Sequence, residues 1–123
     1  MSVHGYAKVV EFWLLKLQED GKNRQNEDEV QKCLKKFKNA LNHHPVFDGR
    51  RLHLLAYYHL LRGKKDKCKS KLRRCFNKSK NLGLWLEVEW ANKSFKEWFI
   101  SWKESEPNYL GTSMFTLPKP KKD

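Results

Sequence analysis

Apolar residues recur every three or four positions along most of the chain, which is the period of an amphipathic α-helix. This pattern predicts two helix pairs, at about residues 6–44 and 50–82, and a closing helix at about residues 85–102. No stretch of useful length alternates apolar and polar residues, as a half-buried strand does. The sequence therefore predicts an all-α fold.

Residues that favour helix ends define the expected boundaries. Gly21 is expected to end the first helix in the left-handed conformation, and Pro45 prevents the second helix from continuing. Asn26 and Asp66 are expected to cap the second and fourth helices. Gly83 ends the fourth helix. These boundaries make the first turn within a pair about seven residues longer than the second, with residues 23–29 as an insertion.

Two segments repeat one pattern at an offset of 35 residues: CLKKFKNALN begins at Cys33, and CKSKLRRCFN begins at Cys68. Two helix pairs with a period of about 34 residues are typical of tetratricopeptide arrays, in which stacked hairpins complete one another's core. The repeat favours a right-handed, tetratricopeptide-like α-solenoid fragment over residues 1–103, followed by an irregular basic tail over 104–123. The alternative is two unrelated helical hairpins that share an amphipathic pattern.

The net charge is +12, and most of it belongs to one helix. Ten Lys or Arg residues and one acid lie between Arg62 and Lys80. Helical spacing places five of these cations on one outward stripe: Lys64, Lys67, Lys71, Arg74 and Lys78. Such a stripe either keeps the chain soluble or binds an acidic partner. An acidic protein surface is the favoured partner, and phosphate groups of nucleic acid or lipid are the alternatives.

The closing helix carries two apolar stripes, although a surface helix needs only one. Its predicted docking face comprises Trp85, Trp90, Phe95, Trp98, Phe99 and Trp102. One side is expected to pack on the second hairpin, and the other to meet a further repeat or a partner. Alternatively, the tail covers this second side with Tyr109, Leu110, Met114, Phe115 and Leu117.

Cysteine and histidine usage offers no chemical site. Cys68 and Cys75 are about 10 Å apart along a helix, which is too far for a disulfide, and their repeat positions predict small buried contacts. His43 and His44 point to different faces of a helix end, so no metal site is expected. No catalytic motif, phosphate-binding loop, cofactor or small-molecule substrate is indicated. A non-enzymatic protein of the cytoplasm, without a membrane span, is expected.

The segment HLLAYYHLLRGKKDKCKSKLRRCFNKSKNLGLWLEVEWANKSFKEWF resembles the C-terminal helical region of the soluble, type 10 adenylyl cyclases. The resemblance covers roughly Val9 to Trp102 and implies a regulatory or scaffolding piece in cAMP signalling. It carries over no catalytic residue. The sequence thus predicts a non-catalytic helical-repeat module for protein–protein docking or intramolecular regulation. The alternative is a small basic nucleic-acid-binding protein that uses the stripe over residues 64–80.

Overall fold

The computed structural model describes residues 3–43 and 45–99, and this part of the chain contains helices and no strand. The all-α prediction is therefore confirmed for these residues. The five α-helices are α1 (Val3–Glu19), α2 (Arg24–Ala40), α3 (Asp48–Leu61), α4 (Lys65–Asn81) and α5 (Trp85–Phe99). Two 3-10 turns, Leu41–His43 and Pro45–Phe47, connect α2 to α3. The predicted tail over 104–123 lies outside the described residues.

Each helix packs mainly on its neighbours in sequence. Helix α1 pairs with α2, α3 pairs with α4, and α5 packs chiefly against α4, while α1 and α2 also contact α3. One apolar core receives side chains from all five helices, with Leu14, Phe37, Tyr57, Leu72 and Trp98 as examples. Consecutive helices joined by short turns thus share a continuous interior.

The repeated segments contribute buried residues to both α2 and α4, but they begin at different points along the two helices. Cys33 is the tenth residue of α2, whereas Cys68 is the fourth residue of α4. Cys33 and Cys68 are both buried, and so are the matched residues Phe37 and Leu72. The repetition arises because the same face of each helix turns towards its partner in the hairpin, where side chains are excluded from water.

Helix α2 begins earlier than the sequence pattern indicated. Its N-cap is Asn23, whose Oδ1 accepts hydrogen bonds from the backbone N–H of Gln25 at 2.9 Å and of Asn26 at 3.4 Å. The prediction of Asn26 as the cap is wrong. The Asn26 side chain instead donates to the Lys16 carbonyl at 3.3 Å and ties α2 to the end of α1. Residues 24–29 are therefore helical and do not form an insertion.

Gly63 and Gly83 end α3 and α4 with φ of 75° and 72°, values that favour glycine. After Gly83, the Leu84 N–H donates to the Ser79 carbonyl at 2.8 Å, which satisfies a carbonyl at the helix end. Gly21 is not in the left-handed region, so that prediction is wrong. Asp66 lies in the first turn of α4 rather than at its cap, where its charge still favours the helix N-terminus.

None of the described helices combines the length and the apolar character needed to cross a membrane.

Candidate functional site

The positive charge predicted for α4 lies on the surface and extends beyond that helix. Lys64, Lys67 and Arg74 are exposed, and Lys71 is half-buried between them. None of the four forms an ion pair with a carboxylate of the described residues. Lys38 of α2 is likewise exposed and unpaired in this part of the chain. We call these five residues the cationic face.

Charges from three helices converge on Lys71. Its pKa is lowered, first by partial burial and then by the positive charges of Arg74, Arg51, Lys38 and Lys67. Arg51 belongs to α3 and Lys38 to α2, so α4 does not build this field alone. The arrangement concentrates positive potential over the junction of α2, α3 and α4, where an anionic partner gains most.

His59 of α3 lies close to the lysines of the cationic face on α4. Burial lowers its pKa, and the neighbouring charges of Lys67, Lys71 and Lys64 lower it further. Its Nδ1 atom is buried and has no hydrogen-bond partner. Burial and the neighbouring lysines thus both disfavour protonation of this imidazole.

Lys78 belongs to the predicted stripe by its sequence position, but its charge is paired with a carboxylate. Its Nζ binds the Asp48 carboxylate at 2.7 Å, and Arg51 binds the same carboxylate at 2.6 Å. Burial opposes ionisation of Asp48, but these two cations outweigh it and lower its pKa. Because its charge is already neutralised by Asp48, Lys78 belongs to the contact between α3 and α4 and is not part of the cationic face.

The predicted docking face of α5 divides into core and surface residues. Trp90 and Trp98 are only 8% and 5% exposed, so they are part of the interior and not of an open face. Trp98 packs against Tyr57 with ring centroids 5.4 Å apart. Phe95 packs against the half-buried Phe99 at 5.5 Å. Trp102 lies outside the described residues.

The most exposed of the α5 aromatic side chains, Trp85 at 62%, borders an apolar groove. The groove lies between α1, the start of α3 and the start of α5, with a volume of about 570 Å³. Val46 and Leu86, each 41% exposed, also line it. Pockets of about 300–1,000 Å³ with mostly apolar walls are typical of ligand or side-chain binding. We call this feature the apolar groove.

A charged network lies at the wall of the apolar groove. Arg50 binds Glu87 through Nη2 at 2.9 Å and Glu11 through Nη1 at 3.4 Å. Its guanidinium also lies 3.7 Å from the centre of the Trp90 ring, a favourable cation–π contact. Burial raises the pKa of Glu87, and Glu11 adds to this effect while Arg50 opposes it. The network joins α1, α3 and α5.

His53, Cys75 and Glu87 approach one another below this network, with their donor atoms within 4.8 Å. His53 already shares a 2.6 Å hydrogen bond with Ser94, and Glu87 is held by Arg50. Burial, and then the Arg50 charge, lower the pKa of His53 to about 3. The same Arg50 charge opposes any cation placed among the three donors. We therefore interpret the cluster as a structural network.

The three cysteines are free and buried, as predicted for Cys68 and Cys75. Burial raises the pKa of Cys68 and of Cys75 to about 12, and it also raises the pKa of Cys33. Since the thiolate is the reactive form, these side chains are poor nucleophiles in the folded protein.

Comparison with protein-family models, with curated proteins and with solved structures found no match for this chain.

Sequence reasoning identified most of the cationic face but missed Lys38 and His59. Both lie outside α4, and their proximity depends on how α2 and α3 pack beside it. It also missed the role of Arg50, because an arginine in the first turn of α3 gives no sequence signal of two distant glutamates. The many aromatic residues of α5 correctly indicated that part of this helix is buried. They did not indicate which aromatic side chains are in the core and which are exposed.

Proposed function

We propose that the chain is a non-catalytic helical docking module that binds an acidic segment of a partner protein through the cationic face. The observation that carries this proposal is that Lys38, Lys64, Lys67, Lys71 and Arg74 form no ion pair with the carboxylates of the described residues. Neighbouring like charges without counter-ions raise the free energy of the isolated protein. A carboxylate-rich partner relieves this repulsion.

The tetratricopeptide-like architecture is part of the same proposal. It is supported by hairpins that pack on their sequence neighbours and by the buried residues that the two repeated segments share in α2 and α4. The resemblance to the soluble adenylyl cyclases connects such a module with cAMP signalling and intramolecular regulation. A cytoplasmic location is consistent with three buried, unpaired cysteines.

Nucleic acid is the second candidate partner, because phosphates also bind clustered Lys and Arg. Sequence-tolerant binding of single strands generally adds aromatic side chains on which bases stack. Here the exposed aromatic residues Phe12, Trp85 and Phe95 lie on α1 and α5, and none belongs to α2 or α4. Phe95 lines a pocket with Lys69 and Arg73 of α4, which are not residues of the cationic face. This placement favours an acidic protein segment.

The test compares two triple variants that lose the same charge. Lys67→Gln, Lys71→Gln and Arg74→Gln are combined to neutralise the cationic face. The probes are a glutamate-rich peptide and single- and double-stranded oligonucleotides, followed by fluorescence anisotropy at several salt concentrations. We expect the triple variant to bind the glutamate-rich peptide at least about tenfold more weakly at low salt.

The matched control combines Lys16→Gln, Lys22→Gln and Arg24→Gln, which lie on exposed parts of α1, the first turn and α2. It should change the affinity for the peptide by less than about twofold, because it lowers only the net charge. Equal losses in both triples would show unspecific charge attraction and refute the proposal. Binding of an oligonucleotide more tightly than the peptide, lost only in the first triple, would favour the nucleic-acid alternative.

A further inference from the structure

The walls of the apolar groove expose large apolar side chains to water, which is unfavourable for a protein surface. Trp85, Leu86 and Val46 are large and apolar, and they stand together around one cavity of about 570 Å³. Isolated apolar residues are common on protein surfaces, but a contiguous group around a cavity indicates an occupant. This surface shares no residue with the cationic face.

The chain itself contains a segment with matching chemistry. Residues 113–122 read SMFTLPKPKK, in which Met114, Phe115 and Leu117 precede a lysine-rich stretch. Glu89 lies exposed on α5, one turn after Leu86, and forms no ion pair with the described residues. The segment thus combines apolar side chains for the cavity with lysines for an unpaired acid.

The length of the intervening chain also fits. Helix α5 ends at Phe99, about 21 Å along its axis from Trp85 at 1.5 Å per residue. Residues 100–113 comprise 14 residues. Fully extended, a chain of this length reaches at most about 46–50 Å, which exceeds the distance back to Trp85. Because the segment is tethered to the same molecule, it has an advantage in effective concentration over a separate partner.

We propose that residues 113–122 of the same molecule bind in the apolar groove, with Met114, Phe115 and Leu117 against Val46, Trp85 and Leu86. The segment then covers the exposed wall of α5, and a partner that binds the groove has to displace it. The groove is thereby a regulated docking surface rather than a permanently open one.

Disulfide trapping in the full-length chain tests this proposal. Val46→Cys is combined with Ser113→Cys, which keeps the three apolar residues of the segment. The control pair combines Phe12→Cys with Ser113→Cys, because Phe12 is exposed on α1 but does not line the groove. The native cysteines are buried with raised pKa values and react slowly under mild oxidation.

We expect the Val46–Ser113 pair to form an intramolecular disulfide at least about tenfold faster than the control pair. Adding Met114→Ser, Phe115→Ser and Leu117→Ser should reduce its rate to that of the control. Equal rates for the two pairs would overturn the proposal by showing an open groove. A disulfide that appears only in dimers would also overturn it, because the occupant would then be a second copy.

Discussion

His53 makes the stability of the fold sensitive to acid. The imidazole is fully buried between α3 and α5, where it is hydrogen-bonded to Ser94 and packed against Trp98. Burial, reinforced by the Arg50 charge, lowers its pKa to about 3 in the folded protein. In the unfolded chain the pKa of histidine is about 6.5. The unfolded state therefore binds a proton at a pH where the folded state does not.

The sign and size of the effect follow from this difference. The contribution of His53 to stability is fully present above about pH 6.5 and is lost as the pH falls below it. At about pH 5 the loss is 1.5 pH units at 1.36 kcal/mol each, or about 2 kcal/mol. This loss already includes the repulsion between Arg50 and a protonated His53.

The assay is urea denaturation of the wild type and of His53→Gln at about pH 7.5 and about pH 5. Wild type should lose about 2 kcal/mol more than the variant over this range. Groups present in both proteins cancel from the comparison, including Asp48 with its lowered pKa and Glu87 with its raised pKa. His59→Gln is the matched control and should change the pH dependence less, because His59 is only half-buried.

Equal pH dependence in wild type and in His53→Gln would refute this reasoning. If the variant does not fold, NMR titration of His53 in the wild type gives the same answer. Its imidazole signals should show no protonation down to about pH 5, and a midpoint near pH 6.5 would contradict the burial argument.

Two further substitutions test the helix contacts by thermal or urea denaturation. Gly49→Ala places a Cβ 2.5 Å from the Ser79 Oγ, so we expect a loss of about 1–3 kcal/mol. Adding Ser79→Ala should restore most of it, and no rescue would contradict the proposed clash. Asn23→Ala removes the N-cap of α2 and should cost about 1 kcal/mol. The exposed Lys22→Ala serves as its control, and an equal loss there would argue against capping.

The helices were predictable because local periodicity determines them. Apolar positions in α2 and α4 repeat at helical spacing, and Gly63 and Gly83 mark the ends of α3 and α4 in the structure. The errors occurred where several residues could serve the same role. Asn23 and Asn26 can both cap a helix, and only the packing of α2 on α1 selects Asn23 by engaging Asn26 with the Lys16 carbonyl.

The candidate sites depend on contacts between residues far apart in sequence. Lys78 reads as part of a basic stripe, but the packing of α3 on α4 brings Asp48 to within 2.7 Å of it. Trp85 and Trp90 are both bulky aromatics of α5, yet one is exposed and the other lies under Arg50. Periodicity along one helix cannot reveal which of its faces a distant segment covers.

The charge balance explains why a cationic face exists at all. With 26 Lys and Arg residues against 14 acids, at least 12 cations lack a partner if each acid neutralises one. In the described part, acids hold Arg50 and Lys78 at contacts between helices. Some acids are thus engaged where helices meet, whereas the cationic face has no acidic partner among the described residues. A sequence that needed this surplus only for solubility could distribute it over every helix, whereas here Lys38 is brought beside Lys71. Clustering of like charges opposes folding, so its presence is the physical argument for an anionic partner.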